Sequence, residues 1–194
     1  MPRQPVHKER IRRSILFEAA RALRVEGPEK LGVAAIMGQV GLTHGGFYAY
    51  FTSKDDLIAQ AITEIFDERY RFFLSVTEGL PAGEAMSKFV DYYVVPRHRD
   101  VLEDSCAIPS LGSYIPRMSA VCQARYADGV ARLELAITKL LKDLGREHPR
   151  DLATATLASM AGAIVLARSV AVRTSSDRLL SVSRVSIKRQ LGLA

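Results

Sequence analysis

Residues 42–54, with the sequence LTHGGFYAYFTSK, form the stretch around which the N-terminal part of the chain is organised. Thr43 is a residue type that caps helices, and Gly41 supplies a permissive turn after the apolar segment 33–40. A helix, a turn with glycine and a second short helix make a helix-turn-helix, whose second helix enters the major groove of DNA. Gly45 and Gly46 each cost about 1 kcal/mol of helix stability relative to alanine. Their presence is explained if the backbone comes close to DNA.

The charge distribution supports the same interpretation. The net charge of the 194-residue chain is +6, of which residues 1–54 carry +5 and residues 55–194 carry +1. A basic excess beside a helix-turn-helix is expected of a part that neutralises phosphates. A solubilising basic tail is the alternative explanation for the same charges.

Apolar residues at three- and four-residue steps predict helices throughout the chain, with no alternation typical of strands. Residues 1–7 are expected to be disordered, and Ser53 with Asp56 predicts a helix N-terminus. The predicted helices lie at about 8–25, 33–40, 53–77, 82–95, 117–144, 150–173 and 176–191, with one or two short helices in the proline-broken stretch 98–116. The fold class is therefore all-α. We place a DNA-binding domain at residues 1–54 and a helical effector-binding and dimerisation domain at residues 55–194.

Other features of the sequence limit the possible environments and activities. Cys106 and Cys122 have neither metal-ligand spacing nor a disulfide framework, which favours a reducing cytoplasm. The uncharged run 152–167 is shorter than the roughly 20 residues that span a bilayer, so we expect a buried helix and no membrane partner. No pattern of catalytic residues, metal ligands or phosphate-binding glycines is present, and we predict no enzyme activity and no cofactor.

The stretch 33–57 resembles the DNA-binding signature of the TetR family of transcriptional regulators. The resemblance is carried by Gly41-Leu42-Thr43, Phe47-Tyr48-x-Tyr50-Phe51 and Ser53-Lys54 with Leu57, in this order beside a basic first helix. It covers about the first 60 residues and implies a regulator, most simply a repressor, that binds a palindromic operator as a dimer. Where many members have Thr or Ser capping the first helix of the motif, this chain has Gly32.

The resemblance implies a role in DNA binding for six residues. Thr43 would cap the recognition helix and contact a phosphate, and Gly46 would let that helix lie close to the DNA backbone. His44 and Gly45 would face base edges. Tyr48 and Lys54 would each contact a phosphate. Phe47 and Phe51 would belong to the core, and Tyr50 is more simply explained as a half-buried aromatic residue.

The family resemblance also implies a C-terminal pocket whose small-molecule occupant changes the spacing of the two DNA-binding heads. The expected lining is apolar with a few phenolic hydroxyls, although any one of these residues is as well explained as ordinary core. The residues are Phe89, Tyr92, Tyr93, Cys106, Ile108, Leu111, Tyr114, Met118, Cys122 and Tyr126.

Two long helices near the C-terminus are expected to form the homodimer interface. The first has small residues at positions 153, 155, 158, 161 and 163, which allow close helix packing. The second contributes the apolar residues Leu179, Leu180, Val182, Val185 and Ile187. A dimer places two recognition helices on two half-sites of DNA. The alternative is that these helices are the internal core of a monomer.

Two other functions are compatible with the sequence. Cys106 precedes a Leu111-Gly112 pair, as in family members that resemble sensors of electrophiles or oxidants. The acids Glu103 and Asp104 disfavour a reactive thiolate at that position, so a buried structural cysteine is the alternative. A helical enzyme that binds a small molecule is the hypothesis from a different functional class.

Overall fold

A computed structural model describes residues 3–193, with side chains from residue 7 onward. Every regular element of this described part is helical, as the sequence predicts. The α-helices are α1 (Arg3–Glu26), α2 (Val33–Gln39), α3 (Lys54–Thr77), α4 (Ala82–Tyr93), α5 (Pro96–Asp100), α6 (Ala107–Leu111), α7 (Ala120–Asp143), α8 (Pro149–Ser169) and α9 (Arg173–Gln190). Three short 3₁₀ helices span His44–Ala49, Leu102–Asp104 and Ile115–Arg117. We call the first the recognition helix and the second the bridging turn.

Helix α1 begins earlier than the sequence analysis predicts. It starts at Arg3, so the prediction of disorder is wrong for residues 3–7, while residues 1 and 2 lie outside the described part. Pro5 is compatible with this start because the first four backbone N–H groups of a helix have no partner within the helix. A proline there therefore removes no hydrogen bond.

The N-terminal helices share a core with the first turns of α3. Phe47 and Phe51 of the recognition-helix region are both 2% exposed, and their rings stack with centroids 5.7 Å apart. Met37 of α2 and Leu57 of α3 are buried in the same cluster. The recognition helix is thus fixed to the rest of the head by the two phenylalanines that the sequence analysis assigns to the core.

The start of α3 confirms the predicted cap. Ser53 Oγ accepts a hydrogen bond from the backbone N–H of Asp56 at 3.0 Å. The Asp56 carboxylate in turn accepts from the backbone N–H of Thr52 at 2.9 Å, one residue earlier than in the usual reciprocal arrangement. The cap fixes the direction in which α3 leaves the recognition helix.

Helix α3 connects the two ends of the molecule because it packs against α1, α4 and α7. The approach of α3 to α7 is close at Gly129, where an added Cβ would lie 2.2 Å from the Phe66 ring. Only a glycine lets the two helices meet at this distance. The C-terminal bundle is continued by α7 on α8 and by α8 on α9.

The segment between α4 and α7 is more broken than predicted. It contains α5, the bridging turn, α6 and the 3₁₀ helix Ile115–Arg117 instead of one or two short helices. Pro96 and Pro116 lie in the first turns of their elements, where a missing N–H costs no hydrogen bond. The prolines therefore start new short elements as well as ending old ones.

Helix α8 is long and apolar enough to span a membrane when judged by length and composition, and 44% of that apolar window is buried inside the structure. A core helix of a water-soluble protein passes the same test. Ala153, Leu157, Met160 and Ile164 of α8 face the core. The predicted burial is therefore present on one side of the helix.

Candidate functional site

The turn before the recognition helix has the geometry that the sequence predicts. Gly41 has a φ of +74°, a conformation that favours glycine. Its backbone N–H donates to the carbonyl of Gly38 at 3.0 Å, and that of Leu42 donates to Met37 at 2.9 Å. These bonds end α2 and direct the chain into the recognition helix at an angle set by backbone geometry.

Thr43 takes the cap position but does not make the predicted side-chain cap. Its backbone is extended, and its carbonyl accepts from the N–H of Gly46 at 3.0 Å. The hydroxyl makes no capping hydrogen bond, because the recognition helix is a tight 3₁₀ helix whose first turn is closed by the backbone. Thr43 is exposed.

Neither glycine of the recognition helix is required by its backbone or by its neighbours. Gly45 and Gly46 are not among the positive-φ residues of the described chain. A Cβ at Gly45 would meet no atom within 4 Å, and one at Gly46 would make an ordinary contact of 3.8 Å with Met37. The two residues leave an open surface at the start of the recognition helix, beside the exposed His44.

Tyr48 and Tyr50 lie in different environments. Tyr48 is 69% exposed, although its ring also touches the edge of Phe47 with centroids 5.3 Å apart. Tyr50 is half-buried, and Lys8 Nζ of α1 lies 5.9 Å from its ring centroid. Tyr48 is thus accessible from outside the protein, while Tyr50 lies between the recognition helix and the basic face of α1.

Lys54 is exposed at the first position of α3, immediately after the Ser53 cap. A cation at a helix N-terminus is unfavourable for the helix dipole, so its presence there favours an external anion. Nearby, partial burial raises the pKa of the Asp56 carboxyl. Hydrogen bonds from Thr52 and Gln60, with the charge of Arg12, outweigh that effect and hold the pKa below its ordinary value.

The ten residues predicted to line an effector pocket do not border one common cavity. Phe89, Tyr93, Cys106, Leu111 and Cys122 are fully buried in the core. The others are partly exposed: Tyr92, Ile108, Tyr114, Met118 and Tyr126.

Several of the ten contact residues far from one another. Cys122 Sγ lies 3.9 Å from the carbonyl of Asp55 at the start of α3. The Tyr126 hydroxyl donates to the carbonyl of Ile108 at 3.4 Å. Tyr114 lies beside Gly27 at the end of α1, where an added Cβ would be 3.0 Å from its hydroxyl oxygen. Tyr126 is also a neighbour of Cys106 and Tyr93, so these residues and Ile108 lie together, while Cys122 and Tyr114 lie in two other parts of the molecule.

Tyr92 borders a groove of about 520 Å³ between α3, α4 and α5, which we call the Arg69 groove. Apart from Tyr92, its lining was not predicted from the sequence. The other lining residues are Glu68, Arg69, Phe72, Val95, Arg97, His98 and Asp104. These residues come from three separate stretches of the sequence. The sequence features that could have indicated the groove are the aromatic residues near Pro96 and the run Arg97-His98-Arg99 that follows it.

His98 joins the Arg69 groove to the predicted residues behind it. Its ring packs edge-on against Tyr93 with centroids 4.5 Å apart, and its Nε2 accepts from the backbone N–H of Cys106 at 3.0 Å. Its Nδ1 therefore carries the proton and donates to the Tyr93 carbonyl at 2.8 Å. Burial and the positive charge of Arg69 lower the pKa of His98 to about 3.

Helices α8 and α9 carry apolar side chains on their outer surfaces. Leu180 and Ile187, which were predicted for a dimer interface, face the protein's own core instead. The exposed apolar residues of this part are Val165, Leu166, Val172, Val182 and Val185. Ala155 and Ala158 of α8 are exposed as well. The two helices thus have an apolar inner side and a second, exposed apolar side.

Comparisons with known proteins agree with the sequence resemblance. Residues 15–61 match the model of the family described as bacterial regulatory proteins, tetR family. This matched range contains α2, the recognition helix and the Ser53 cap. None of the curated proteins is similar enough in sequence to match this chain.

Solved structures share the fold over almost the whole chain. The reduced form of NemR from E. coli has a TM-score of 0.81 at 13% identity and covers 92% of this chain and 96% of its own. A TetR transcriptional regulator from Chloroflexus aurantiacus has a TM-score of 0.79 at 21% identity, covering 94% and 96%. A TetR-family regulator from Cytophaga hutchinsonii has a TM-score of 0.80 at 14% identity, covering 94% and 96%.

These likenesses show the fold, and the match over residues 15–61 identifies that segment as the family's DNA-binding segment. Proteins of the TetR family are DNA-binding transcriptional regulators and not enzymes. The helix-turn-helix, its exposed recognition helix and the surrounding helical architecture are all present in one chain. The chain therefore carries the DNA-binding segment of the bacterial regulatory proteins of the tetR family within a fold that TetR-family transcriptional regulators share.

Proposed function

We propose that this regulator is a cytoplasmic repressor that binds a palindromic operator as a homodimer and is released by a small-molecule effector. The open surface at Gly45 carries this proposal, because nothing inside the protein requires a glycine there. Thr43, Tyr48 and Lys54 contact phosphates, which fixes the position of the head on the duplex. His44 and Gly45 face base edges, and Gly46 keeps the helix close to the DNA backbone.

The proposed DNA-binding domain comprises residues 1–54, and the proposed effector-binding and dimerisation domain comprises residues 55–194. Helix α3 belongs to the core of both, since Leu57 packs with the N-terminal helices and Phe66 packs against α7. A movement of the C-terminal bundle is therefore transmitted to the head through a continuous helix.

The proposed dimer uses the exposed side of α8 and α9. Val165 and Leu166 of α8 and Val182 and Val185 of α9 are between 43% and 58% exposed in the isolated chain. Apolar side chains on two adjacent helices, beside the small residues Ala155 and Ala158, suit a four-helix contact between two copies. This dimer would place two recognition helices on half-sites one helical turn of DNA, about 34 Å, apart.

The proposed effector acts by favouring a dimer conformation whose heads no longer fit successive major grooves. Of the residues predicted for its pocket, Tyr92 borders the Arg69 groove, and Tyr93 and Cys106 lie directly behind His98 in that groove. Phe89 extends this second layer, with its ring 5.8 Å from that of Tyr93. Leu111, Tyr114, Met118, Cys122, Tyr126 and Ile108 would take part only if the segment between α4 and α7 rearranged.

A thiol-based sensor is the second candidate function. The Tyr93 hydroxyl is buried without a hydrogen-bond partner in the described part of the chain. Burial and the neighbouring Cys106 thiol raise the pKa of Tyr93. Oxidation of Cys106 would therefore add polar atoms beside an unsatisfied hydroxyl. Hydrogen peroxide transfers one oxygen to a cysteine thiol, giving a sulfenic acid and water. Loss of operator binding on peroxide treatment in wild type and Cys122→Ser, but not in Cys106→Ser, would favour this function.

The experiment that tests the proposed repressor is a gel shift on DNA from upstream of its own gene, against unrelated DNA, at about 150 mM salt. The proposal predicts selective binding and a footprint with two-fold symmetry. Equal and salt-sensitive binding to both DNAs would contradict the selective recognition of an operator in the upstream DNA. A protein–DNA complex that contains only one copy of the chain would contradict the proposed dimer.

A further inference from the structure

We propose that the Arg69 groove binds an aromatic carboxylate and is the effector site of this regulator. The inference rests on the proposed function, since it names the chemical class of the effector and where it binds. The groove volume of about 520 Å³ lies within the roughly 300–1,000 Å³ that is usual for small-molecule sites. Its walls and its charges each point to this class of ligand.

The apolar walls suit a flat ring. Phe72 of α3 and Tyr92 of α4 meet edge to face with centroids 5.9 Å apart, and Val95 continues the apolar wall. Tyr92 is 54% exposed, so much of its ring is free to cover a ligand. Aromatic rings pack well against such edge-to-face pairs, and a planar ligand would add a further ring to the arrangement.

The charges of the groove leave one positive charge without a carboxylate. The Asp104 carboxylate forms an ion pair with Arg97, with 2.9 Å between Oδ2 and Nη2. Glu68 forms an ion pair with Arg24 of α1. Arg69 has no carboxylate partner among the residues that the structure describes. It donates to the backbone carbonyl of Asp104, and its guanidinium lies 5.0 Å from the centroid of the Phe72 ring.

Arg69 also has hydrogen-bonding capacity to spare beside that ring. Its Nε is buried and makes no hydrogen bond in the described part of the chain. A buried donor without a partner costs free energy that an acceptor would recover. The two oxygens of an aromatic carboxylate can both accept hydrogen bonds from this guanidinium. The aromatic ring of the same ligand can then pack against Phe72.

A cationic ligand fits the groove less well. Glu68 already neutralises the buried Arg24, and His98 on the groove wall is neutral, with its low pKa owed to burial and then to the charge of Arg69. The ion pair between Arg97 and Asp104 is exposed and therefore weak. A ligand anion can recruit Arg97 as a second cation, whereas a ligand cation would meet Arg69.

The groove is connected to the DNA-binding head through the bridging turn. Arg24 near the end of α1 is buried, donates to the Glu103 carbonyl at 2.7 Å and pairs with Glu68. Arg69 donates to the carbonyl of Asp104, the next residue of the same turn. A carboxylate that draws Arg69 away from Asp104 therefore loosens the turn that holds α1. This is the physical route by which the ligand would change the position of the head.

The test compares 1-naphthoate with its neutral isostere 1-naphthamide and the cation 1-naphthylmethylammonium, by calorimetric titration of the DNA-free protein. We expect naphthoate to bind at least about tenfold more tightly than either analogue. Arg69→Gln should lower the affinity for naphthoate about tenfold and leave that for naphthamide unchanged, and Arg69→Lys should restore much of the loss. Arg71→Gln is the matched control, because Arg71 lies on the same helix and pairs with Glu64 outside the groove.

Operator binding is measured separately, so that the two proposals fail independently. Naphthoate should release wild type and Arg71→Gln from operator DNA. Arg69→Gln lacks the contact with the Asp104 carbonyl, so its operator affinity without ligand should be lower than that of wild type, and naphthoate should not lower it further. Absence of naphthoate binding at about 1 mM, equal binding of the analogues, or an unchanged affinity of Arg69→Gln would overturn the inference even if the protein binds its operator. If wild type without any ligand does not bind operator DNA, the proposed repressor function is overturned instead.

Discussion

The recognition helix and the middle of α7 each contain a glycine in helical backbone, and the surroundings of the two residues are opposite. A Cβ at Gly45 would meet no atom within 4 Å, whereas a Cβ at Gly129 would lie 2.2 Å from the Phe66 ring. In α7 the missing side chain lets two helices pack. In the recognition helix no contact within the protein requires the absence of a side chain, so the reason for a glycine is expected in a partner outside the protein.

The same contrast separates the two functional regions. The recognition helix presents an open surface with exposed side chains, Thr43, His44 and Tyr48, on a scaffold of buried phenylalanines. The Arg69 groove is instead backed by the packed His98 ring, whose two nitrogens both bond backbone groups, and it leaves the buried Nε of Arg69 without a partner in the described part of the chain. The contacts of a DNA-binding surface are completed by the DNA, whereas the walls of a ligand groove are formed by the packing of the protein's own side chains.

The largest expected effect comes from filling the close contact in α7. Gly129→Ala should destabilise the protein by about 1–3 kcal/mol, because the new Cβ cannot fit against Phe66 unless α3 and α7 move apart. Chemical denaturation measures the change. Gly38→Ala in α2 is the control, because no atom lies within 4 Å of its added Cβ and helix propensity then favours alanine. Equal stability changes for the two variants would show that the close contact between Gly129 and Phe66 does not limit the packing of α3 on α7.

The second prediction concerns a buried histidine of the C-terminal region. Because the folded protein holds the pKa of His98 at about 3, the unfolded chain binds a proton there at a higher pH than the folded chain does. The contribution of His98 to stability is therefore complete above about pH 6.5 and is lost as the pH falls toward 3. The slope is at most about 1.4 kcal/mol per pH unit for one proton.

His98→Gln should flatten the dependence of unfolding free energy on pH between 6.5 and 5. Glutamine is chosen because it retains both a donor for Tyr93 and an acceptor for Cys106. His44→Gln changes an exposed histidine of the head and is the matched control. Denaturation curves at several pH values measure the slopes. A wild-type slope in His98→Gln would show that the burial of this ring does not contribute as described.

A smaller effect is expected at the hydroxyl of Tyr48. Tyr48→Phe should weaken operator binding by about 1 kcal/mol or more, because a hydrogen bond to a charged phosphate is lost while the ring contact with Phe47 stays. Tyr50→Phe removes a hydroxyl from the half-buried tyrosine and should leave affinity nearly unchanged. Fluorescence anisotropy on operator DNA measures both. An unchanged affinity of Tyr48→Phe would remove this residue from the proposed contacts.

The smallest expected effect is that of a single phosphate contact. Lys54→Ala should weaken binding to all DNA sequences and lower the slope of log affinity against log salt by about one per half-site. Lys30→Ala, in an exposed position between α1 and α2, controls for the loss of a general positive charge. Salt titrations on operator and unrelated DNA measure the slopes. A loss confined to operator DNA would contradict a phosphate role.

Features encoded by neighbouring residues could be predicted from the sequence. The cap of Ser53 on Asp56 and the turn at Gly41 each depend on residues within a few positions, and both are present. The start of α1 and the cap of Thr43 were predicted wrongly, although they are equally local. At Thr43 the backbone closes the first turn without the side chain, and in α1 Pro5 lies in the first turn, where a proline removes no hydrogen bond.

The groove could not be predicted because its residues come together only through tertiary packing. Arg69 and Asp104 are 35 positions apart, and Arg24 meets Glu103 across 79 positions. Aromatic and cysteine residues near the prolines pointed to the right segment, but most of them, including Phe89 and Cys106, are used for the core. Composition shows which residues are apolar, whereas helix packing decides which of them line a cavity.

Gly45→Ala distinguishes a glycine that is needed for DNA binding from one that is needed for the fold, because no atom of the protein lies near an added Cβ at this position. We expect unfolding free energy to stay the same or rise slightly, since the new Cβ meets no atom within 4 Å. Operator affinity should fall about tenfold, because the Cβ would intrude on the closely packed DNA surface. Retained operator affinity, or a loss of stability that accounts for the weaker binding, would contradict the account.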